Sequence, residues 1–231
     1  MNFTFTDDQN SIRELAYQIF TDRASDEFML AFSRTNETYD ETLWQTLADQ
    51  GLLGVAIPES AGGTGLGLVE LCMVLEEQGR RVAPVPLYAS LVLGGLPISE
   101  FGSTEQQQRY LTPLASGKAK FSAAIAELGM NVAIATSVSA TLGGEGWVLD
   151  GKKAVVPDGA VADFILGPAE DAKGEQTVFI VDTRAPGVTV QAVDIGLSGE
   201  RAAQLLLENV AVANDAVLGA PGQGTDIIEW L

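Results

Sequence analysis

The apolar pattern of this chain changes its period once, near Lys118, and that change limits what it can fold into. Before it, apolar residues recur at helical spacing. Thr6-Asp-Asp-Gln9 fits a capping box, and Ile12, Leu15, Ala16, Ile19 and Phe20 follow on one helical face. Asp40 is placed to cap a second helix, with Leu43, Trp44 and Leu47 inward and Gly51 at its end. Residues 52–58 read as apolar and extended. A third helix over 68–78 is apolar on nearly every side and reads as buried. Residues 87–93 make a short helix closed by Gly94-Gly95. Ser103-Thr-Glu-Gln106 opens a last one, ending near Ser116-Gly117.

After Lys118 the pattern is that of strands, over 121–126, 132–142, 146–149, 154–156, 163–166, 177–181, 188–190 and 204–207. Asp150-Gly151, between two of them, signals a tight hairpin turn. Helices first and strands afterwards predict an α+β protein and argue against a doubly wound βαβ sheet. The expected units are a helical domain over 1–118, a β domain over 119–220 and the start of a further helical part over 221–231. In that last piece Ile227, Ile228, Trp230 and Leu231 have nothing obvious to pack on.

Charge and composition exclude whole classes of function. Of 231 residues, 31 are acidic and 13 basic, a net charge of −18, so the surface repels a nucleic-acid backbone and disfavours docking on an anionic membrane. An anionic ligand such as coenzyme A needs a local exception: a helix N-terminus, a partner chain or one of the few arginines. There is no histidine, which removes Ser-His-Asp triads, Cys-His pairs and ordinary zinc sites, so no metal is expected. Cys72, the only cysteine, reads as a small buried hydrophobe. No apolar run reaches the roughly 20 residues of a membrane helix, and the chain reads as soluble and cytoplasmic. The glycine cluster Gly62–Gly67 lacks the spacing of a phosphate-binding loop and is expected to be a turn before the third helix. Glu76-Glu77 and Asp7-Asp8 read as solvated or helix-terminal carboxylates.

Several segments, in order, resemble the acyl-CoA dehydrogenase family. They are Phe5-Thr-Asp-Asp-Gln9; the run from Leu47 through Gly51, Gly54, Pro58 and Glu59 to Gly62-Gly63; Val74 to Gly79; Phe101-Gly-Ser-Thr-Glu-Gln106 on to Gly117; Asp150-Gly151-x-Lys153; Ala162-Asp163; Phe179 to Val188; and Leu205 to Gly219. The resemblance implies a helical domain, then an antiparallel β-barrel-like domain, then a helical bundle of which this chain holds only the opening. It implies oxidation of an acyl-CoA thioester, of the kind used to degrade fatty acids or steroid side chains. A glutamate removes the α-proton and FAD accepts the β-hydride, with an electron-transfer flavoprotein often reoxidising the flavin. The family's base belongs to the bundle, so no catalytic residue is nominated and the base is expected beyond residue 231.

The flavin-binding residues that the resemblance implies are Ile125, Ala126, Glu127, Met130, Asn131, Val155, Val156 and Pro157, with Met130 also facing substrate. Here the chain departs from the family. Gly129-Met130-Asn131 stands for Gly-Ser-Asp after a deletion of about two residues, and Val155-Val156-Pro157 stands for Trp-Ile-Thr. Proline has neither the hydroxyl nor the N–H of the threonine it replaces. Losing one hydrogen bond to a buried polar edge costs about 1–3 kcal/mol, and losing an aromatic stack about 0.5–1.5 kcal/mol more. Three readings stay open: an FAD-dependent dehydrogenase subunit, a degenerate structural subunit supporting an active homologue in a homo- or hetero-oligomer, and a fragment whose missing bundle completes the site.

Overall fold

A computed structural model describes residues 4–125, 136–144, 146–195 and 200–231. Helix α1 (Asp7–Arg23) starts at the expected capping box: the Gln9 N–H donates to Thr6 Oγ1 at 3.2 Å and the Thr6 N–H to Gln9 Oε1 at 3.0 Å. Helix α2 (Asp26–Phe32), capped by Ser25, has no counterpart in the sequence reading. Helix α3 (Glu41–Asp49) is capped by Asp40, whose buried carboxylate also holds Arg23 at 2.6 Å.

Helix α4 (Leu68–Arg81) follows, and a π-helical stretch, Tyr88–Gly95, runs without a break into α5 (Leu96–Phe101). Helix α6 (Thr104–Gln106) begins at the second capping box, and a further π-helical turn leads to α7 (Thr112–Ala115).

Four local expectations are corrected. Residues 52–58 are not extended, because Leu52–Gly54 coils into a 3₁₀ turn with both leucines buried. Helix α4 buries Leu71, Met73 and Val74 but leaves Leu68 and Val69 outside, and Cys72 is exposed, not buried. Gly94 and Gly95 do not close a helix. A Cβ on Gly94 would lie 2.2 Å from Cβ of Phe121, so this glycine lets the π-helical stretch press directly on the sheet. The C-terminal apolar residues do find partners: in α8 (Gly224–Trp230) Ile227 is buried, Ile228 and Leu231 pack on the same core, and Trp230 meets Phe101 edge-on at 5.4 Å.

The strands are β1 (Phe121–Ala123), β2 (Val138–Gly143), β3 (Gly146–Pro157), β4 (Phe164–Glu170), β5 (Gln176–Asp182), β6 (Val188–Ile195), β7 (Glu200–Val212) and β8 (Val217–Leu218). They form one sheet in the order β6-β7-β3-β2-β4-β5-β8, with β1 added against β4. The path does not close and the β1–β4 and β2–β4 pairings are parallel, so the sheet is open and mixed, not an antiparallel barrel.

The Asp150-Gly151 hairpin is also overturned. The β2–β3 turn lies at Gly143 to Gly146, and Asp150-Gly151 sits inside β3 at a register shift against β7. There Gly151 has φ 143°, a Cβ would lie 2.3 Å from the Ser137 carbonyl oxygen, and Asp150 accepts the Asn209 N–H at 2.8 Å. One core joins the helices to a sheet face through Trp44, Leu71, Leu111, Phe121 and Leu166. The other gathers Trp147, Leu149, Val156, Phe179 and Leu205. Tyr110 sits edge-on to Phe121 and Phe164 at the junction, where burial pushes its phenol pKa up. Among the described residues no helix is long and apolar enough to cross a membrane.

Candidate functional site

Strand β3 has two different edges. Towards β7 it stays paired from Trp147 to Pro157, but towards β2 its pairing stops at Gly151. Among the described residues no strand pairs with residues 154–157 on the side facing away from β7, and β1 lies on that side. The Ser122 hydroxyl of β1 donates to the Pro157 carbonyl, and Ser122 is fully buried. Ser90, on the π-helical stretch, fixes β1 from behind: its hydroxyl accepts the Phe121 N–H at 3.1 Å and donates to the Phe121 carbonyl at 3.2 Å. A single side chain thus satisfies both backbone groups of a residue at a strand edge, as burial requires.

Of the two segments nominated from sequence, Val155 to Pro157 lies here, and of the other only Ile125 is described. Ile125 follows β1 and packs with Leu93, Leu166, Ile227 and Leu231 around a small apolar cavity. Ala126, Glu127, Met130 and Asn131 lie outside the described residues. Val155 is half-buried and sits where β3 takes three steps, Lys153 to Val156, against two on β7, a one-residue bulge. The Val156 side chain is fully buried against Gly159 and the β core, leaving only its backbone for a ligand. Pro157 ends the strand opposite Ala202.

Beyond Pro157 the chain turns sharply. Asp158 has φ 47°, a left-handed conformation that a non-glycine residue adopts at some cost, held here by two bonds to one partner. Its N–H donates to the Arg201 carbonyl at 2.9 Å, and its carboxylate accepts from Arg201 Nε at 2.9 Å. In an extended strand the N–H and C=O of one residue point to the same side. Since the Pro157 carbonyl faces β1, an N–H at position 157 would face β1 as well. Proline supplies none.

This geometry tests an isoalloxazine ring against the described residues. Such a ring needs a flat face to stack on and donors for its polar edge. Val155 offers no aromatic face, Pro157 no N–H, and the Pro157 carbonyl and Asp158 N–H are both engaged within the protein. The described end of β3 therefore does not fit a tightly held flavin, and no redox step is derived through it. Sequence reasoning missed Ser90, Ser122, Asp158 and Arg201. One clue was available: Ser122 is the lone hydroxyl in the apolar run Phe121-Ser-Ala-Ala-Ile-Ala126. Among the described residues no group of His, Cys, Asp or Glu is arranged to hold a metal.

Comparison with known proteins agrees with this architecture. Residues 6–118 match the family model of the acyl-CoA dehydrogenase N-terminal domain, and residues 123–210 match that of the middle domain. A probable acyl-CoA dehydrogenase of Bacillus subtilis, YngJ, is 31% identical over 97% of this chain and 61% of its own length. The ChsE4–ChsE5 complex of Mycobacterium tuberculosis gives a TM-score of 0.88 at 33% identity, covering 100% of this chain and 60% of the other. A variant of the Tcur3481–Tcur3483 steroid ACAD gives 0.85 at 39% identity, covering 96% and 58%. The chain thus spans about three fifths of the length of these three relatives. With both family models matching in order across most of its length, the chain belongs to the acyl-CoA dehydrogenase family.

Proposed function

We propose that this chain works in the α,β-dehydrogenation of an acyl-CoA thioester, as the helical and β portion of an FAD-dependent acyl-CoA dehydrogenase. The reading is supported by the two family models matching in order over residues 6–118 and 123–210, and by the contact of Ser122 on β1 with Pro157, one of the residues that the resemblance assigns to the flavin. FAD would supply the oxidising chemistry in such an assembly. What this chain contributes is a rigid wall, with β1 clamped by Ser90 behind and by Ser122 in front. The base is proposed to lie beyond Leu231 or on a companion chain, and an electron-transfer flavoprotein is the proposed acceptor of the electrons. Family relatedness and the acyl-CoA dehydrogenase names of the relatives support the assignment.

The experiment is to purify the protein with whatever chain it assembles with natively. Acyl-CoA-dependent reduction of an artificial electron acceptor is then followed for straight, branched and steroidal thioesters. Turnover that disappears when this chain is left out is the expected result. An assembly whose rate is the same without it contradicts the proposal.

Pro157 favours a second reading, a degenerate structural subunit that binds flavin weakly or not at all and supports an active homologue. The paired names ChsE4–ChsE5 and Tcur3481–Tcur3483 are consistent with two-chain assemblies among its relatives. Flavin content separates the two: one flavin on each copy of this chain supports the first, and none on this chain supports the second.

A further inference from the structure

Ser122, Asp158 and Arg201 share a feature that the family resemblance does not assign. They consume every polar group that the Pro157–Asp158 peptide could turn towards a ligand. The carbonyl goes to Ser122 Oγ, the N–H to the Arg201 carbonyl, and the Asp158 carboxylate to Arg201 Nε. The peptide is therefore held at both ends, from β1 and from β7, and its neighbour Val156–Pro157 has no N–H at all.

We propose that Ser122 and Arg201 are positioning residues that hold this peptide with its polar groups turned inward. The strand end is thereby aimed but offers an isoalloxazine no free donor until residue 157 regains an N–H. The inference rests on the dehydrogenase reading and deepens it, because it names the residues that aim the end of β3 and the one group that this end lacks.

A frayed strand end and a rigid one that lacks a donor lose a ligand in different ways. Had the strand end merely frayed, restoring a side chain would not restore binding, because the backbone would no longer be aimed. Here the backbone is fixed by a fully buried hydroxyl on one side and a half-buried ion pair on the other. A donor placed at position 157 projects from a rigid strand towards β1, the side on which Ile125 leads out of that strand. Rigid placement is what makes one hydrogen bond worth its full value to a ligand.

The test is FAD titration of the purified chain and its variants, followed by flavin fluorescence. Pro157→Ala restores the N–H alone, Pro157→Thr adds the hydroxyl, and Val155→Trp with Pro157→Thr adds the stacking face. The account expects weak binding by the parent, a gain of about tenfold for Pro157→Ala and about a hundredfold for the double variant. It also expects Ser122→Ala combined with Pro157→Thr to lose most of that gain while remaining folded by circular dichroism. Should Ser122→Ala disturb folding, Arg201→Lys, which keeps the charge but loses the Nε geometry, replaces it with the same expected loss.

Tight binding by the parent, no gain at position 157, or a gain indifferent to both Ser122 and Arg201 would overturn the inference. Turnover by the native assembly without any gain in the variants defeats this inference alone. A gain without turnover by the assembly defeats the dehydrogenase reading alone.

Discussion

Two short stretches of backbone invite opposite errors. Gly62–Gly67 has the composition of a ligand-binding loop, while Pro157-Asp158 looks like an ordinary strand end. In the glycine loop every N–H is spent inside the protein: Gly62 on the Glu59 carbonyl, Gly63 on Pro58, Thr64 on Gly54, Gly65 on Ile57, Leu66 on Val55, and Gly67 on the Glu70 carboxylate. No nest of free amides remains for a phosphate, so the loop is a buckle that fastens the 3₁₀ turn to α4. At Pro157-Asp158 the backbone is equally committed, on a stretch of β3 that no strand among the described residues pairs with on the β1 side. What a loop can bind is decided by where its amides point, which composition does not reveal.

The largest effect that could break this comparison is expected at Gly63. A Cβ there would lie 2.1 Å from the Ile57 carbonyl oxygen and 2.6 Å from that of Gly54. Gly63→Ala should destabilise the protein by about 3 kcal/mol in denaturant unfolding, since backbone must move to admit the methyl. A neutral result would mean that the buckle is loose and its amides available.

Next comes Ser122→Ala, which leaves the part-buried Pro157 carbonyl without its donor and should cost about 1–3 kcal/mol. An unchanged melting temperature would show that the hydroxyl does not hold the strand end.

Arg201→Gln is expected to cost less, about 0.5–1 kcal/mol, because the guanidinium is about one third exposed and solvent screens the pair. A double-mutant cycle with Asp158→Asn measures the pair itself, and a coupling near zero would remove Arg201 from the account.

The smallest effect concerns pH. The Glu70 carboxyl is held below its usual range, first by the Gln9 side chain and then by backbone N–H groups, including that of Gly67. A carboxyl whose folded pKa is depressed adds stability that is fully present above its unfolded pKa and fades as pH falls through the folded value. Acid titration of stability should therefore be slightly flatter in Glu70→Gln than in the parent, and identical curves would contradict this.

The same contrast explains which parts of the fold could be read from sequence. The capping boxes at Thr6 and Ser103 were legible because donor and acceptor lie three residues apart and need nothing else. Asp150-Gly151 misled for the reason that Gly62–Gly67 tempts: a local signal was given a local meaning. Its carboxylate answers Asn209, 59 residues away, and its glycine makes room for Ser137. The C-terminal apolar residues likewise looked unpartnered because their partners, such as Phe101, Leu93 and Val178, come from distant segments. Of the site, Val155, Val156 and Pro157 could be singled out by resemblance. The clamp of Ser90 and Ser122 could not, since a serine hydroxyl carries no sign of which backbone it will satisfy.

Residue-resolved amide hydrogen exchange at Asp158 asks the question most directly. If this turn is sealed from both sides, its proton should exchange as slowly as those of the β3–β7 ladder. Exchange as fast as in the exposed 171–174 turn would show the peptide swinging free, and the picture of a strand end held from both sides would be wrong.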